Sequence, residues 1–345
     1  MITEFIKKED ALSEDALRRI GETLRNDGLA AIPTETVYGL AANALSDEAV
    51  KKIFLAKGRP QDNPLIVHIS KVEEIYPLVK EVPEKAQLLF EKFWPGPLTV
   101  ILKKSDAVCQ SVSAGLDTVA VRMPSHPVAR AVIEAAGVPL AAPSANVSGK
   151  PSPTTAQHVL HDMDGKIDMI IDGGESAVGV ESTVITLCTE KPRLLRPGGI
   201  TVEQLREVLG EVEVDKAVFN ELQNNEKPSS PGMKYKHYSP DADVLIVKGS
   251  LCGLQKFSKN FDAVSTAVIC FDGEESAFSC KTFSLGNEND AAAHAHRIFD
   301  LLRQADKEGF KNVLVHCPPS DGIGMAVMNR LLRAAAFNVT EVGDE

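Results

Sequence analysis

Four segments of the sequence gather hydroxyl, amide and cationic side chains beside proline and glycine. They are PTETVYGL at 33–40, KGRPQDNPLIVHI at 57–69, VRMP at 121–124 and LAAPSANVSGKPSPT at 140–154. In α/β folds, such residues beside strand ends usually lie in loops that carry binding sites. Their density in four separate segments predicts a site that binds an anion.

The second segment offers two cations. Lys57 and Arg59 follow the end of a predicted helix, where a cation can equally be a solvated cap of the last carbonyl groups. Pro60 and Pro64 fix an extended backbone on both sides of Asn63, which favours a binding role for this segment.

Arg122 and His68 each have two interpretations. Arg122 alternates with apolar Val121 and Met123, so its side chain points to the opposite face of a strand. There it is either one half of a salt bridge at a sheet edge or a bidentate anchor for a carboxylate. His68 lies in an aliphatic strand, where a lone histidine is more often a satisfied core group than a ligand.

Uncharged polar side chains and one further arginine complete the set. Hydroxyl groups and exposed backbone amides can hold phosphate oxygens without a Walker motif. The alternative for the threonines of the first segment is a structural turn. Two further segments, GVESTVI at 179–185 and RLLRPGG at 193–199, add a serine and an arginine. The candidates are Thr34, Thr36, Ser144, Asn146, Ser152, Ser182 and Arg196.

The sequence offers no covalent nucleophile. It contains no G-x-S-x-G, no H-E-x-x-H and no Walker motif. Its six cysteines are scattered without the spacing of a zinc site, which indicates reduced, mostly buried thiols. The inventory therefore favours anion binding and electrostatic stabilisation over covalent catalysis.

The elements that position these residues follow an α/β pattern from Gly28 onward. One helix is expected to begin after an N-cap at Ser46, and another to run over 127–136 between Pro127 and Gly137. Strands are predicted at 29–33, 65–69, 98–102, 119–123, 167–171 and 183–187.

A polar, Pro- and Ser-rich stretch over 212–240 interrupts the pattern and predicts a linker. The α/β alternation then resumes, with strands at 243–247, 266–271 and 312–316 and helices at about 290–307 and 323–336. We therefore expect a catalytic domain over 1–211 and a small α/β domain over 241–345.

Bulk composition agrees with two globular domains. The chain has 345 residues and a net charge of −11, spread evenly along it. An acidic balance disfavours broad electrostatic binding to nucleic acid. The absence of a long apolar run and of a signal-peptide core predicts a cytoplasmic protein with no membrane partner.

The ordered motifs resemble the YrdC family of L-threonylcarbamoyladenylate synthases. PTETVYGL, KGRPQDNPLIVHI, FWPGPLT, AVRMPSHP, APSANVSGKPSPT, GVESTVI and LLRPG stand in the family's order between residue 10 and about residue 205. The linker PGMKYKHYSP and the small domain resemble the family's longer members. The resemblance implies a twisted, open α/β sheet around a charged cavity, with a smaller Rossmann-like α/β domain.

The activity that this resemblance implies consumes ATP. L-threonine, bicarbonate or carbon dioxide, and ATP are joined into L-threonylcarbamoyl-AMP with release of pyrophosphate. A separate transferase then uses this product to modify adenosine in tRNA to threonylcarbamoyladenosine, so direct contact with tRNA is expected to be at most weak. Mg²⁺ is expected with ATP, but its protein ligands are not apparent.

The resemblance also implies roles for individual residues. Lys57 and Arg59 are the expected catalytic cations that neutralise phosphate charge. Tyr235, on a linker that folds over the cavity as a lid, is a further expected ATP contact. Threonine is expected to contact Thr36, Thr34, His68, Arg122, Ala142 and Ser182. ATP is expected to contact Lys57, Arg59, Asn63, Thr118, Ser144, Ser152 and Arg196.

Two other functions remain possible from the sequence. YrdC-like modules also occur in hydrogenase maturation proteins, but those carry zinc-binding cysteine clusters and extra domains that this sequence lacks. An RNA-binding module without catalysis is the second alternative. The acidic charge and the lack of interleaved aromatic and basic residues argue against it.

Overall fold

The computed structural model describes residues 2–220 and 237–343. These residues form two compact units, each of which mixes helices and strands. The first comprises residues 2–148 and 152–218. The second comprises residues 149–151, 219–220 and 237–343.

The first unit is built around a mixed sheet of eleven described strands. In chain order they are β1 (Glu4–Ile6), β2 (Ala30–Ile32), β3 (Gly39–Asn43), β4 (Ile66–His68), β5 (Leu98–Lys103), β6 (Thr118–Arg122), β7 (Leu140–Ala141), β8 (Met169–Ile171), β9 (Thr183–Thr186), β10 (Arg193–Arg196) and β11 (Glu213–Val214). Across the sheet the order is β1-β8-β2-β3-β7-β4-β6-β5-β9-β10-β11. The short strands of the site motifs are therefore central strands.

Helices cover this sheet. They are α1 (Glu14–Arg25), α2 (Asp47–Lys57), α3 (Glu84–Phe93), α4 (Gln110–Ser113), α5 (Pro127–Ala136), α6 (Ala156–Met163) and α7 (Val202–Leu209). One core cluster joins α1 and α5 to β2, with Ile20, Ile32 and Ile133 almost completely buried. The two helices pack so closely that a Cβ on Gly21 would lie 2.4 Å from the carbonyl oxygen of Ala135, which requires glycine there.

The second unit contains a parallel sheet. Its strands are β12 (Asp243–Lys248), β13 (Thr266–Cys270), β14 (Lys281–Ser284), β15 (Asn312–His316) and β16 (Val339–Glu341), in the order β14-β13-β15-β12-β16. Its helices are α8 (Leu251–Ser258), α9 (Ala291–Glu308) and α10 (Gly324–Ala334). The strands pair in parallel and are connected through helices, as the prediction of a small α/β domain requires.

The α/β class and the strongest local predictions are confirmed. Ser46 caps α2 by accepting a hydrogen bond from the amide of Ala49, and α5 begins at Pro127 and is followed by Gly137 in a left-handed conformation. Each strand predicted in the first unit has a counterpart within about three residues. The short strands β1, β3, β7, β10 and β11 were not predicted, because two to five residues carry too little periodicity.

In the described part of the chain, no helix is both long enough and apolar enough to cross a bilayer. Of the predicted linker over 212–240, the structure describes residues 212–220 and 237–240.

Candidate active site

Arg122 lies at the end of β6 with only 4% of its surface exposed. Its Nε donates a hydrogen bond to the carbonyl oxygen of Gly96 at 3.3 Å, and its Nη1 donates to Thr36 Oγ1 at 2.9 Å. Its Nη2 lies 2.6 Å from Oε1 of Glu35. A guanidinium has five N–H donors, so two remain for a ligand once these described partners are counted. The predicted salt bridge of Arg122 is therefore confirmed, but its predicted place at a sheet edge is wrong, because β6 is a central strand.

Glu35 is a buried carboxylate that the sequence analysis did not select. Burial alone would raise its pKa, but the positive charge of the adjacent Arg122 holds the pKa of Glu35 below its ordinary value. The Glu35 carboxyl is therefore ionised at neutral pH. Arg122 and Glu35 together form a buried ion pair inside the predicted threonine site.

The hydroxyl groups of Thr34 and Thr36 form a chain with a fixed direction. Thr34 Oγ1 donates to the carbonyl oxygen of Val37 at 2.6 Å and lies 2.9 Å from Thr36 Oγ1. Because the proton of Thr34 is used there, Thr36 must donate to Thr34. Thr36 also accepts from Arg122, so its hydroxyl has only acceptor capacity left for a ligand.

His68 is buried beside Arg122, and the two residues are direct partners in the parallel pair of β4 and β6. Burial, assisted by the positive charge of Arg122, lowers the pKa of His68 from 6.5 to about 3, so the ring is neutral. Nδ1 lies 3.1 Å from the carbonyl oxygen of Ile66 and must donate to it. Nε2 is then an acceptor. The core interpretation and the binding interpretation of His68 are thus compatible.

A second buried cluster lies on the other side of Arg122. Thr99 is the antiparallel partner of Arg122, and its Oγ1 is 2.8 Å from Ser182 Oγ. Arg196 donates to Ser182 twice, from Nη2 to the hydroxyl at 3.1 Å and from Nε to the carbonyl oxygen at 3.1 Å. The network connects the predicted threonine contact Ser182 with the predicted ATP contact Arg196.

The segment after β10 approaches the start of β9 closely, and this approach depends on Gly198. A Cβ at this position would lie 2.3 Å from the backbone nitrogen of Thr183 and 2.5 Å from the carbonyl oxygen of Glu181. No side chain fits at these distances. Gly198 therefore allows the segment after β10 to lie directly against the backbone around Ser182.

Lys57 is buried, with 3% of its surface exposed, so its interpretation as a solvated helix cap is wrong. The cause is tertiary, because the segment after β7 folds over the end of α2. Lys57 Nζ donates to the carbonyl oxygen of Ser144, and to that of Asn146 at 2.7 Å. The ammonium group thus holds together the loop that carries Ser144, a predicted ATP contact, and the further candidate Asn146.

Arg59 and Asn63 lie in the loop between α2 and β4. Arg59 is half-buried, with its Cζ 5.7 Å from the centre of the Phe54 ring and Nη2 3.4 Å from the carbonyl oxygen of Asn63. The amide of Asn63 is fully buried, yet neither its oxygen nor its nitrogen has a hydrogen-bond partner within the described residues. A buried amide of this kind is unfavourable unless a ligand or water satisfies it.

Ser152 is completely buried and donates its hydroxyl hydrogen to the Glu181 carboxylate. A carboxylate can only accept, so the direction of this bond is fixed. Ser152 then presents a lone pair, rather than a proton, to any ligand that it contacts.

The predicted residues fall into two groups along the pair of β4 and β6. His68 and Arg122 are at the carboxyl end of this pair, whereas Thr118 begins β6 and Asn63 precedes β4. A five-residue strand spans roughly 13 Å. Thr118 and Arg122 are therefore separated by the length of β6, and the side chain of Thr118 is half-buried.

The segment after β7 runs back along β4 toward the second group. Ala142 donates its backbone amide to the carbonyl oxygen of Ile66 at 3.0 Å. Since β7 is antiparallel to β4, Ser144 lies further toward the Asn63 end, where it forms a bridge with Gly39. Three of the predicted ATP contacts, Asn63, Thr118 and Ser144, thus lie at the opposite end of this strand pair from the predicted threonine contacts His68 and Arg122. Arg196, another predicted ATP contact, lies instead against Ser182 at the threonine end.

Tyr235, the predicted lid residue, lies outside the described residues. The nearby Tyr238 is buried in the second unit, where its ring centre is 5.2 Å from that of Phe299. The guanidinium carbon of Arg330 lies 5.4 Å from the same ring. These contacts fix the position of Tyr238 on α9 and α10.

Three buried polar residues of the site were not predicted from the sequence: Glu35, Thr99 and Glu181. Each had a usable signal. Glu35 stands between two selected threonines, Thr99 is a polar residue in an aliphatic strand, and Glu181 precedes Ser182 directly. A buried carboxylate needs a cation or a hydrogen-bond donor, and that requirement could have indicated the pairs with Arg122 and Ser152.

The described residues contain no group of three or more His, Cys, Asp or Glu side chains that could hold a metal ion. The two buried carboxylates of the site are engaged by Arg122 and Ser152. These residues therefore do not fit a resident metal site.

Two sequence-family models match the chain. One, described as "Telomere recombination" and covering Sua5, YciO and YrdC, matches residues 22–198. The other, described as the C-terminal domain of threonylcarbamoyl-AMP synthase, matches residues 200–336. The chain is also 46% identical over 341 residues to the threonylcarbamoyl-AMP synthase of Bacillus subtilis, covering 97% of this chain and 98% of that protein.

Solved structures agree over the same length. Pyrococcus abyssi Sua5 complexed with L-threonine is 43% identical, with a TM-score of 0.90, covering 99% of this chain and 100% of that one. A variant of Pyrococcus abyssi Sua5, in which a histidine and the following tyrosine are replaced by alanine, is 44% identical. Its TM-score is 0.91, and the match covers 99% of each chain.

Proposed function

The chain belongs to the Sua5/YciO/YrdC family, and on this premise we propose that it is a threonylcarbamoyl-AMP synthase. It joins L-threonine, bicarbonate or carbon dioxide, and ATP into L-threonylcarbamoyl-AMP and releases pyrophosphate. This is the first step of threonylcarbamoyladenosine formation in tRNA. The observation that carries the proposal is the buried constellation of Arg122, Thr36 and neutral His68, in a fold similar to a relative solved with L-threonine.

The constellation suits the zwitterion of an amino acid. The two N–H donors left on Arg122 can bind a carboxylate in a bidentate pair. Thr36 and His68 offer acceptors, which suit an ammonium or hydroxyl group. Ser182 completes the polar wall, and Ala142 supplies an apolar surface for the substrate methyl group. Donors and acceptors are thus divided as L-threonine requires.

The other end of the strand pair is the proposed ATP site. Lys57 and Arg59 supply positive charge, and the unpartnered amide of Asn63 supplies a donor and an acceptor. Thr118 and Ser144 are further proposed contacts at this end. The other ATP contacts of this proposal are Ser152, Tyr235 and Arg196, of which Arg196 lies at the threonine end against Ser182. Ser152 is expected to accept a hydrogen bond, which suits a ribose hydroxyl or an adenine amine better than a phosphate.

The chemistry needs no covalent enzyme intermediate. The threonine ammonium loses one proton to solvent, and the resulting amine attacks carbon dioxide and releases a second proton to solvent, which gives the carbamate. A carbamate oxygen then attacks the α-phosphorus as the bond to pyrophosphate breaks. Correct orientation of bound reactants can lower such a barrier by as much as about 7–11 kcal/mol. Arg196 donates a hydrogen bond to Ser182, a residue of the proposed threonine site, and this contact supports a role for the Arg196 charge near the carbamate and the α-phosphate.

Mg²⁺ enters this proposal only as a companion of the ATP phosphates, because the described carboxylates do not form a site for it. We assign no step of the reaction to it. The proposed domains are 1–211, the linker and lid over 212–240, and 241–345. The product passes to a separate tRNA threonylcarbamoyl transferase, and direct binding of tRNA by this chain is at most weak.

The linker contributes one further comparison. The sequence His-Tyr occurs once in this chain, at His237 and Tyr238. A His-Tyr pair was also replaced by two alanines in the Pyrococcus abyssi variant. Because Tyr238 packs on Phe299 and Arg330, we propose that it anchors the linker while Tyr235 contacts the nucleotide.

The identity of the product tests the proposal. The protein is incubated with ATP, Mg²⁺, L-threonine and ¹⁴C-bicarbonate, and the products are separated by chromatography and weighed by mass spectrometry. We expect label in a compound with the mass of threonylcarbamoyl-AMP. Label that never enters a nucleotide, with ATP intact, would refute the assignment.

A further inference from the structure

Glu35 is a charged group of the site that the substrate contacts proposed above do not use. Glu35 has 8% of its surface exposed, and its Oε1 lies 2.6 Å from Nη2 of Arg122. It stands in the loop between β2 and β3, directly before Thr36, which accepts from Nη1 of the same guanidinium. Two successive residues of one loop therefore contact two different nitrogens of Arg122.

The backbone of this loop is fixed from two directions. The amide of Val178 donates to the carbonyl oxygen of Glu35 at 2.7 Å, and the amide of Tyr38 donates to the carbonyl oxygen of Pro153 at 2.8 Å. The Glu35 carboxylate thus has little freedom to follow a moving guanidinium. The guanidinium instead takes the orientation that the loop imposes.

The arrangement uses three sides of Arg122. Gly96 holds Nε, Thr36 holds Nη1 and Glu35 faces Nη2. An arginine side chain has many rotamers, and each contact that orients it in advance reduces the entropy lost when a ligand binds. Removal of Glu35 would leave the planar group free to tilt and would misalign its two remaining N–H donors.

We propose that Glu35 is a positioning residue, which orients the Arg122 guanidinium for the carboxylate of L-threonine. This inference rests on the proposed function for the identity of the substrate. Electrostatics alone predicts the opposite effect, because removing a carboxylate next to Arg122 would increase the attraction of the site for an anion. The sign of the change in threonine affinity therefore distinguishes positioning from simple charge neutralisation.

The test uses the full chain with Glu35→Gln, which keeps the shape of the side chain and removes its charge. We expect the dissociation constant for L-threonine, measured by calorimetry without ATP, to rise on the order of tenfold to a hundredfold. The KM for ATP should stay within about twofold of the wild-type value. Glu35→Asp, which keeps the charge, should recover part of the threonine affinity. Glu134→Gln, which breaks the exposed pair with Lys71, is the matched control.

A double-mutant cycle separates positioning from direct contact. If Glu35 acts through Arg122, Glu35→Gln should change threonine affinity in the wild-type background and not in an Arg122→Ala background. Equal effects in both backgrounds would mean that Glu35 contacts the substrate itself and would overturn the inference. Thermal unfolding of each variant shows whether it is folded, and a Glu35→Gln protein that does not fold is replaced in the cycle by Glu35→Asp.

The outcomes for this inference and for the proposed function differ. An active wild-type enzyme with unchanged or tighter threonine binding in Glu35→Gln overturns the inference and leaves the function intact. A wild-type chain that binds threonine through Glu35 and Arg122 but forms no adenylate overturns the function alone. A wild-type chain that does not bind threonine overturns both.

Discussion

Arg122 donates a hydrogen bond from Nη1 to Thr36 Oγ1 at 2.9 Å, although 86 residues separate them in the sequence. The contact connects a strand end of the central sheet to the loop between β2 and β3. Thr36 donates its hydroxyl hydrogen in a hydrogen bond to Thr34. It can therefore only accept hydrogen bonds from Arg122 and from a ligand.

Thr36→Val removes the hydroxyl group and nearly preserves the volume. It leaves a buried donor of Arg122 without its partner, so we expect the free energy of unfolding to fall by about 1–3 kcal/mol. The KM for threonine should rise and the KM for ATP should change little. Urea denaturation and steady-state kinetics measure both effects, with Thr36→Ser as the control that retains the hydroxyl. Wild-type threonine kinetics in Thr36→Val would contradict the assigned role.

Asn63→Leu should separate stability from function. The Asn63 side chain has no described hydrogen-bond partner to lose, so replacement by an apolar side chain of similar size should leave the free energy of unfolding unchanged or raise it. The same change should raise the KM for ATP by about tenfold or more, since a ligand would then lack this amide. A destabilised variant with an unchanged KM for ATP would show that the amide serves the fold instead.

Gly198→Ala should disturb the threonine site and the ATP site together. The new Cβ would clash with the backbone around Ser182, and relief of that clash must move Arg196 away from Ser182. We expect kcat to fall at least about tenfold and the melting temperature to drop. Gly115→Asn is a suitable control, because Gly115 has open space around it and asparagine tolerates its left-handed conformation. Full activity in Gly198→Ala would mean that this close approach is unnecessary.

The low pKa of His68 should make stability depend on pH, whereas the ring itself stays neutral in the folded protein between pH 6 and 8. Its pKa is about 3 in the folded protein and near 6.5 when exposed, so the unfolded chain binds one more proton between these values. Its contribution to stability is therefore lost as the pH falls from 6.5, by at most about 1.4 kcal/mol per pH unit. In urea titrations at pH 7, 6 and 5, His68→Gln should depend less steeply on pH than the wild type. Equal slopes would mean that His68 titrates normally.

The sequence predicted the elements whose signals are local. Ser46 and Gly137 mark helix ends through capping chemistry that depends on a few neighbouring residues. The strands predicted in the first unit are aliphatic runs that can be identified without knowledge of their partners. The motif order also supplied the candidate residues, most of which the structure gathers along β4 and β6.

The remaining features depend on contacts between distant parts of the chain. Lys57 has the sequence context of a solvated cap, and only the fold of the loop around Ser144 and Asn146 buries its ammonium group. Likewise, the pair of Glu35 and Arg122 depends on the order of strands across the sheet, which no local pattern encodes. Local chemistry and motif order supplied candidate ligands, whereas the tertiary structure determines which of their hydrogen-bonding atoms already have protein partners.

Release of pyrophosphate is a direct measure of the proposed threonylcarbamoyl-AMP synthesis. The protein is assayed with ATP, Mg²⁺, L-threonine and bicarbonate, and then with each component omitted in turn. We expect pyrophosphate to appear with the complete mixture and to fall to background when either threonine or bicarbonate is left out. Equal pyrophosphate release without threonine, or production of ADP and phosphate in its place, would contradict the proposed synthesis.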